Sequence, residues 1–262
     1  MAALGKPTFT SRKPFFNLDL AETLLFLSSV VYLREEAEVR KAVKHLSQIQ
    51  DNLKNKENVE KADIEQVFQA LDNADNGVRK VVNDWNIQFK SVSELGTSKG
   101  VYAGLFWSVK HNFIVVSFKD NPGSVLAKKG FPHLRIIEAI NVKAKDIRRK
   151  NKKDRVNIWI TGHSLGASLA TLFYARLLKL PGILSSDCVL RDVYSFAGLA
   201  VGDSNFSSEF SSRYNESDTT LWRIICEQDI APHLPPNNGA FRALRQYLTS
   251  NDILNYFHVG DT

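Results

Sequence analysis

The chain has 262 residues, 44% of them hydrophobic and 24% charged, enough for one large domain with a substantial core and too apolar for a disordered polymer. Its formal net charge is +6, and no apolar run reaches the length a membrane-spanning helix needs. Residues 1–19 carry charges and prolines without the apolar centre of a secretory leader, so the expectation is a cytoplasmic chain, or a fragment whose targeting segment is absent.

In chain order, residues 18–54 read as helix. Leu20, Leu24, Leu27 and Val31 recur at helical spacing, then Val39, Val43, Leu46, Ile49 and Leu53. Residues 51–61 are a polar connector. Residues 63–85 read as one or two further helices, broken by the turn-like Asn73-Ala74-Asp75-Asn76-Gly77. That stretch lacks the alternating oxygen ligands and closing glutamate of a calcium loop, so no metal or other cofactor is expected. From Ile87 the period changes. Residues 101–107 and 113–118 form a predicted β-hairpin, followed by an amphipathic helix over 131–149. Strands over 156–160, 189–196 and 220–226, with a helix over 165–179, continue an alternating pattern that implies a mostly parallel sheet. Cys188 and Cys226 fall in strand-like apolar surroundings and are expected to be buried free thiols.

Between the strand at 156–160 and the helix at 165–179 stands Thr161-Gly162-His163-Ser164-Leu165-Gly166. Strand, sharp G-x-S-x-G turn and helix are the context of a nucleophile elbow. The glycines leave room for a strained turn that presents the serine hydroxyl. The helix start supplies backbone N–H groups and a positive dipole end for a developing oxyanion. Ser164 is therefore the candidate nucleophile and the Leu165 N–H a candidate oxyanion donor.

Gly162 to Ala167, ending in Leu169-Ala170, resembles the class 3, fungal-type lipase family of α/β hydrolases. Three downstream segments resemble it in the right order. They are residues 194–206, which depart at Leu199 and Ala200 where the family has Pro and Arg, then 222–236, then Tyr256-Phe257-His258-Val259-Gly260. Upstream, residues 113–119 resemble the strand that leads to the oxyanion loop. The resemblance runs from about Gly100 onward. It implies a single α/β-hydrolase domain over 1–262 with a helical N-terminal part at 18–85. It also implies hydrolysis of lipid or short-chain carboxylic esters, as in a triacylglycerol lipase.

A serine nucleophile needs a base and an acid that fixes the base's tautomer, in the chain order Ser, acid, His. Asp229 follows the 220–226 strand at the end of the sheet where catalytic groups collect, and it is the candidate acid. Six histidines are present. His45 lies on an N-terminal helix, His111 in a hairpin turn, and His133 and His233 in other settings, while His163 points away from the serine by elbow geometry. Only His258 gives the order Ser164–Asp229–His258. The resemblance, however, places His258 at a family histidine that is ordinarily not the base. Two readings stand: His258 has taken that role, or the chain is truncated before its base.

A second departure concerns the oxyanion loop. The family follows the strand at 113–119 with Gly-Thr or Gly-Ser; here Asp120-Asn121-Pro122 follows. Proline has no N–H, and an aspartate would repel an oxyanion. Only 45 residues separate Lys119 from Ser164, which leaves no room for the family's mobile lid. An alternative function is thus a catalytically impaired lipase-fold protein that binds lipid or a partner. The basic run 143–155 reads first as a solvated helix end and loop, with contact to an anionic membrane surface or an acidic partner as the alternative. Without interleaved aromatic residues it does not suit nucleic acid.

Overall fold

The computed structural model describes residues 15–92, 102–119, 133–152, 155–226 and 257–260. Among them, β1 (Gln88–Val92), β2 (Tyr102–Ser108), β3 (Phe113–Lys119), β4 (Val156–His163), β5 (Cys188–Phe196) and β6 (Leu221–Ile224) form one sheet in chain order. β1–β2 and β2–β3 pair antiparallel, and every later pair is parallel. The β2–β3 hairpin turns at Asn112, whose φ of 56° is one that asparagine tolerates. β1 is an addition to the sequence reading, which detects the change of period at Ile87 but no strand. Only Phe89 of its five residues is buried, so it has too few apolar positions to show an alternation.

The crossovers between the parallel strands run through α4 (His133–Asn151), α5 (Leu165–Lys179) and α6 (Ser204–Asn215). With strands ordered as in the chain, right-handed crossovers put all three helices on one face. The core confirms it: Ile114, Val116, Phe118, Ile158 and Ile160 pack with Ile140 of α4, Phe173 of α5 and Phe210 of α6. The alternate residues Phe113, Val115 and Trp159, with Tyr194, point to the other face. That face is covered by α1 (Leu18–Val30) and α3 (Lys61–Asn83), through Leu20, Leu24, Leu27, Val78 and Val82. The result is the three-layer α/β-hydrolase arrangement with its N-terminal helical part.

The N-terminal helices correct two expectations. Residues 18–54 are two helices, because a 3₁₀ turn at Val31–Leu33 and extended backbone at Arg34 separate α1 from α2 (Glu36–Lys54). Residues 61–83 are one unbroken helix through Asn73–Gly77. Tertiary contacts account for both. Arg34 Nε donates to Asp75 Oδ1 at 2.8 Å in a pair with almost no solvent exposure, and Asp75 also accepts from Ser91 N and Oγ. The Glu35 N–H donates to the Ala74 carbonyl. A Cβ on Gly77 would collide with the Leu33 carbonyl, so glycine is what lets the 3₁₀ turn lie against α3. The turn-like composition of 73–77 thus serves docking. The helical stretch ends at Lys54, as the sequence reading has it.

Both cysteines are free thiols, but only Cys188 is buried; Cys226 lies just beyond β6 and is exposed. β6 is also shorter than the expected 220–226 strand. No helix among the described residues is long and apolar enough to cross a membrane.

Candidate active site

β4 runs straight into the elbow. Ser164 has φ 54° and ψ −127°, a conformation foreign to an ordinary L-residue, and α5 begins at the next position. The turn is held from several directions. The Ser164 N–H donates to the Phe196 carbonyl at the end of β5, 2.9 Å away, and the Ser164 carbonyl accepts from Ala167 N–H at 2.9 Å. Neither neighbouring glycine has a positive φ; what each supplies is space. A Cβ on Gly162 would strike the backbone of Gly166 and Ala167, and one on Gly166 would strike the Phe118 carbonyl of β3. The first turn of α5 therefore sits directly on the ends of β3 and β4. The N–H of Leu165, at the start of α5, is among the groups that a helix beginning leaves without an intrahelical acceptor.

The loop after β5 lies alongside. Ala197, at φ 52°, donates its N–H to the Ile224 carbonyl at the end of β6. Ser168 Oγ of α5 bonds both N–H and carbonyl of Leu199, which ties this loop to the elbow helix. A Cβ on Gly198 would meet Ser195 Oγ, so the loop passes as close as glycine permits. Asp203 then caps α6 by accepting from Phe206 N–H.

The segment carrying His258 is stitched to that loop. Phe257 exchanges two backbone hydrogen bonds with it, to Val201 N–H and Gly202 carbonyl, at 3.1 and 3.0 Å. Val259 is buried in the core beneath α6, and Gly260 (φ 92°) packs on Leu221 of β6. His258 itself is half-buried. Asp229, His233 and the Asp120-Asn121-Pro122 loop lie outside the described residues. Among the described residues, no side chain hydrogen-bonds the Ser164 hydroxyl, and no group of His, Cys, Asp and Glu converges as a metal site.

On the α1 side the elbow has neighbours that sequence reasoning missed. Tyr32, in the 3₁₀ turn, donates its hydroxyl to the His163 carbonyl at 3.3 Å, and the His163 ring stands edge-on to the Tyr32 ring. The Lys119 ammonium, at the end of β3, lies 5.1 Å above the same ring and 3.8 Å from Glu36. Tyr32 carries no local signal of this role, because it reaches the elbow across 131 positions of chain. Farther down the sheet, Asp192 of β5 accepts from Thr220 N–H and Trp222 Nε1, which fastens β6 to β5. Burial raises its pKa against the lowering effect of those donors. Burial likewise lowers the pKa of Arg223 on β6.

The profile of the Lipase (class 3) family matches residues 92–239, more than half of the chain and the whole elbow region. The chain belongs to the class 3 lipase family. Solved structures of fungal lipases are among those similar to it. Lipase II from Rhizopus niveus is 18% identical, with 62% of this chain and 64% of that one covered and a TM-score of 0.38. The lipase from Rhizopus microsporus var. chinensis is 14% identical, covering 95% and 76%, with a TM-score of 0.45. The Rhizomucor miehei lipase propeptide complex is 17% identical, covering 67% and 55%, with a TM-score of 0.43. The chain thus spans less than two thirds of the Rhizopus niveus and Rhizomucor miehei chains. Comparison with curated proteins gives no match.

Proposed function

We propose that this class 3 lipase relative is a serine ester hydrolase acting on lipid or short-chain carboxylic esters. The observation that carries the reading is the elbow: a non-glycine residue at φ 54° between two sterically required glycines, with a helix start behind it. Such strain persists only where the surroundings enforce it. Here it lifts one hydroxyl to the carboxyl edge of the sheet. Ser164 Oγ attacks the ester carbonyl and passes its proton to His258, which Asp229 orients. The tetrahedral oxyanion is held by the Leu165 N–H at the positive end of α5. Protonated His258 returns its proton to the leaving alcohol. Water, deprotonated by the same histidine, then releases the acid and restores Ser164. What supports this assignment is the chain order Ser164–Asp229–His258 and the pair of backbone bonds by which Phe257 joins the segment carrying His258 to the loop after β5.

A second reading is favoured by one specific feature, the Asp120-Asn121-Pro122 sequence where the family supplies a second oxyanion donor. In it the fold binds lipid or a partner without turnover. One missing donor raises the barrier by ~3 kcal/mol. A fluorophosphonate probe separates the readings. Labelling that vanishes in Ser164→Ala and collapses in His258→Ala supports the hydrolase. Labelling absent in the intact chain rejects it. Labelling that survives His258→Ala moves the base elsewhere.

A further inference from the structure

α5 and α6 lie side by side on one face of the sheet without closing fully on each other. A groove of about 200 Å³ runs between them, over Leu172 and Leu178 of α5 and Phe206 and Phe210 of α6. Through Leu178 and Arg213, which border both spaces, it opens into a cleft of about 710 Å³ between the loop after α5 and the end of α6. The cleft walls are aliphatic. Leu180, Ile183, Leu184 and Leu190 line it and are only half-buried. The last three pack on the core with one side and face the cleft with the other. Water fills such a space less favourably than an apolar chain does.

The groove is cationic. Arg176, Lys179 and Arg213 border it against a single acid, Glu209. Glu209 is already engaged, by Lys179 at 3.0 Å and by Arg213 at 3.3 Å. Arg176 has no acidic partner among the described residues, and the buried Nε atoms of Arg176 and Arg213 both lack an acceptor. Two guanidinium groups with unmet donors beside an apolar groove call for an anion with an apolar body. The charges of the cleft are placed differently. Arg155 is committed to the Ser186 and Cys188 carbonyls, and Glu216 and Asp218 are exposed at the rim. The head of such a ligand therefore belongs at Arg176 and its chain in the cleft. Arg176 also lies about 18 Å along α5 from the elbow, so this space is not the surroundings of Ser164.

We propose that the α5–α6 groove and its cleft bind a long-chain carboxylate, with the head group on Arg176 and Arg213 and the alkyl chain passing Leu178 into the cleft. The site is separate from the elbow and needs no turnover at Ser164.

Fluorescence titration of the full chain with cis-parinaric acid, below its micellar concentration, tests it. Emission is expected to rise on binding, and laurate should displace the probe. Each buried methylene is worth up to about fourfold, so displacement should strengthen steeply from octanoate to laurate. Dodecanol, which has the chain of laurate without its charge, should displace about tenfold more weakly or worse. Arg176→Gln should weaken probe binding about tenfold or more, because it removes the charge that has no acidic partner. Leu172→Glu should do the same with the arginine left in place. That residue is 38% exposed and stands one helical turn before Arg176, so its carboxylate would occupy the guanidinium in the ligand's stead. Arg149→Gln, on α4 and paired with Asp146, should change binding less than about twofold. Ser164→Ala should bind like the parent, so binding without hydrolysis counts against the hydrolase reading alone. The proposal is overturned if the parent leaves the probe unbound, if either Arg176→Gln or Leu172→Glu binds it like the parent, or if chain length or loss of the charge makes no difference to displacement. It is equally overturned if Ser164→Ala abolishes binding, or if sedimentation shows a dimer that Leu172→Glu dissociates.

Discussion

Replacing Gly166 by alanine tests the elbow most sharply. The added methyl would lie well inside 3.0 Å of the Phe118 carbonyl oxygen and 3.3 Å from the Lys119 Cα. Every atom it meets is backbone, so no side chain can rotate away. Either α5 lifts off β3 or β3 shifts within a sheet where it is paired on both sides. Overpacking of this kind costs about 1–3 kcal/mol and occasionally more, and rigid obstacles place this case near 2–4 kcal/mol. For a chain of this size that lowers the melting temperature by roughly 5–15 °C. Gly182 is the internal reference. Its φ is +87° and nothing lies within 4 Å of a Cβ there, so Gly182→Ala carries backbone strain without a clash. That strain, ~1–2 kcal/mol, is partly offset by a stiffer unfolded chain. Thermal melts followed by circular dichroism compare the two variants. If Gly166→Ala melts with the parent, or no lower than Gly182→Ala, the claim that space dictates this glycine is wrong.

Arg34→Met removes the shortest ion pair of the buried Asp75, leaving it Ser91 and Arg79 at 3.6 Å, and should destabilise the fold by about 1–3 kcal/mol in urea titration, with much of the loss recovered in Arg34→Met/Asp75→Leu. A chromogenic disulfide reagent should titrate Cys226 rapidly and Cys188 only on unfolding, since Cys188 is buried and burial also raises its thiol pKa; two fast thiols would contradict that burial. Burial raises the Asp192 pKa, so the folded chain holds that proton longer than the unfolded one. Its stabilisation is complete below the ordinary carboxylate pKa and is lost as pH rises through the folded value. Asp192→Asn should therefore flatten the fall in stability just above the ordinary carboxylate range, and an unchanged pH profile would count against the assignment.

The parts of the fold legible in the sequence were those with a local signature. Val156–Ile160 and the helix from Leu165 flank a turn whose glycines are fixed by backbone proximity, so position alone reveals them. What escaped rests on contacts between distant residues. The helix through Asn73–Gly77 reads as a break because asparagine, aspartate and glycine favour turns in isolation. Its reason lies forty residues earlier, in Arg34 and the Leu33 carbonyl. β1 was missed because one buried phenylalanine makes no period. Cys226 was misjudged because β6 stops at Ile224. At the candidate site, Ser164 and Leu165 carried a motif, whereas Tyr32 and Lys119 carried none.

Three adjacent strands converge on a single residue at the elbow. β4 runs into Ser164, β5 holds its N–H through the Phe196 carbonyl, and β3 supports the following turn at Gly166. The Ser164 backbone therefore has little freedom of its own; it moves as the centre of the sheet moves. Under the proposed function, the reactivity of Ser164 becomes a gauge of the whole central sheet. Damage at Trp159, deep on the α1 face, would register at a hydroxyl it never touches, and gentle heating should silence the serine together with the sheet rather than ahead of it.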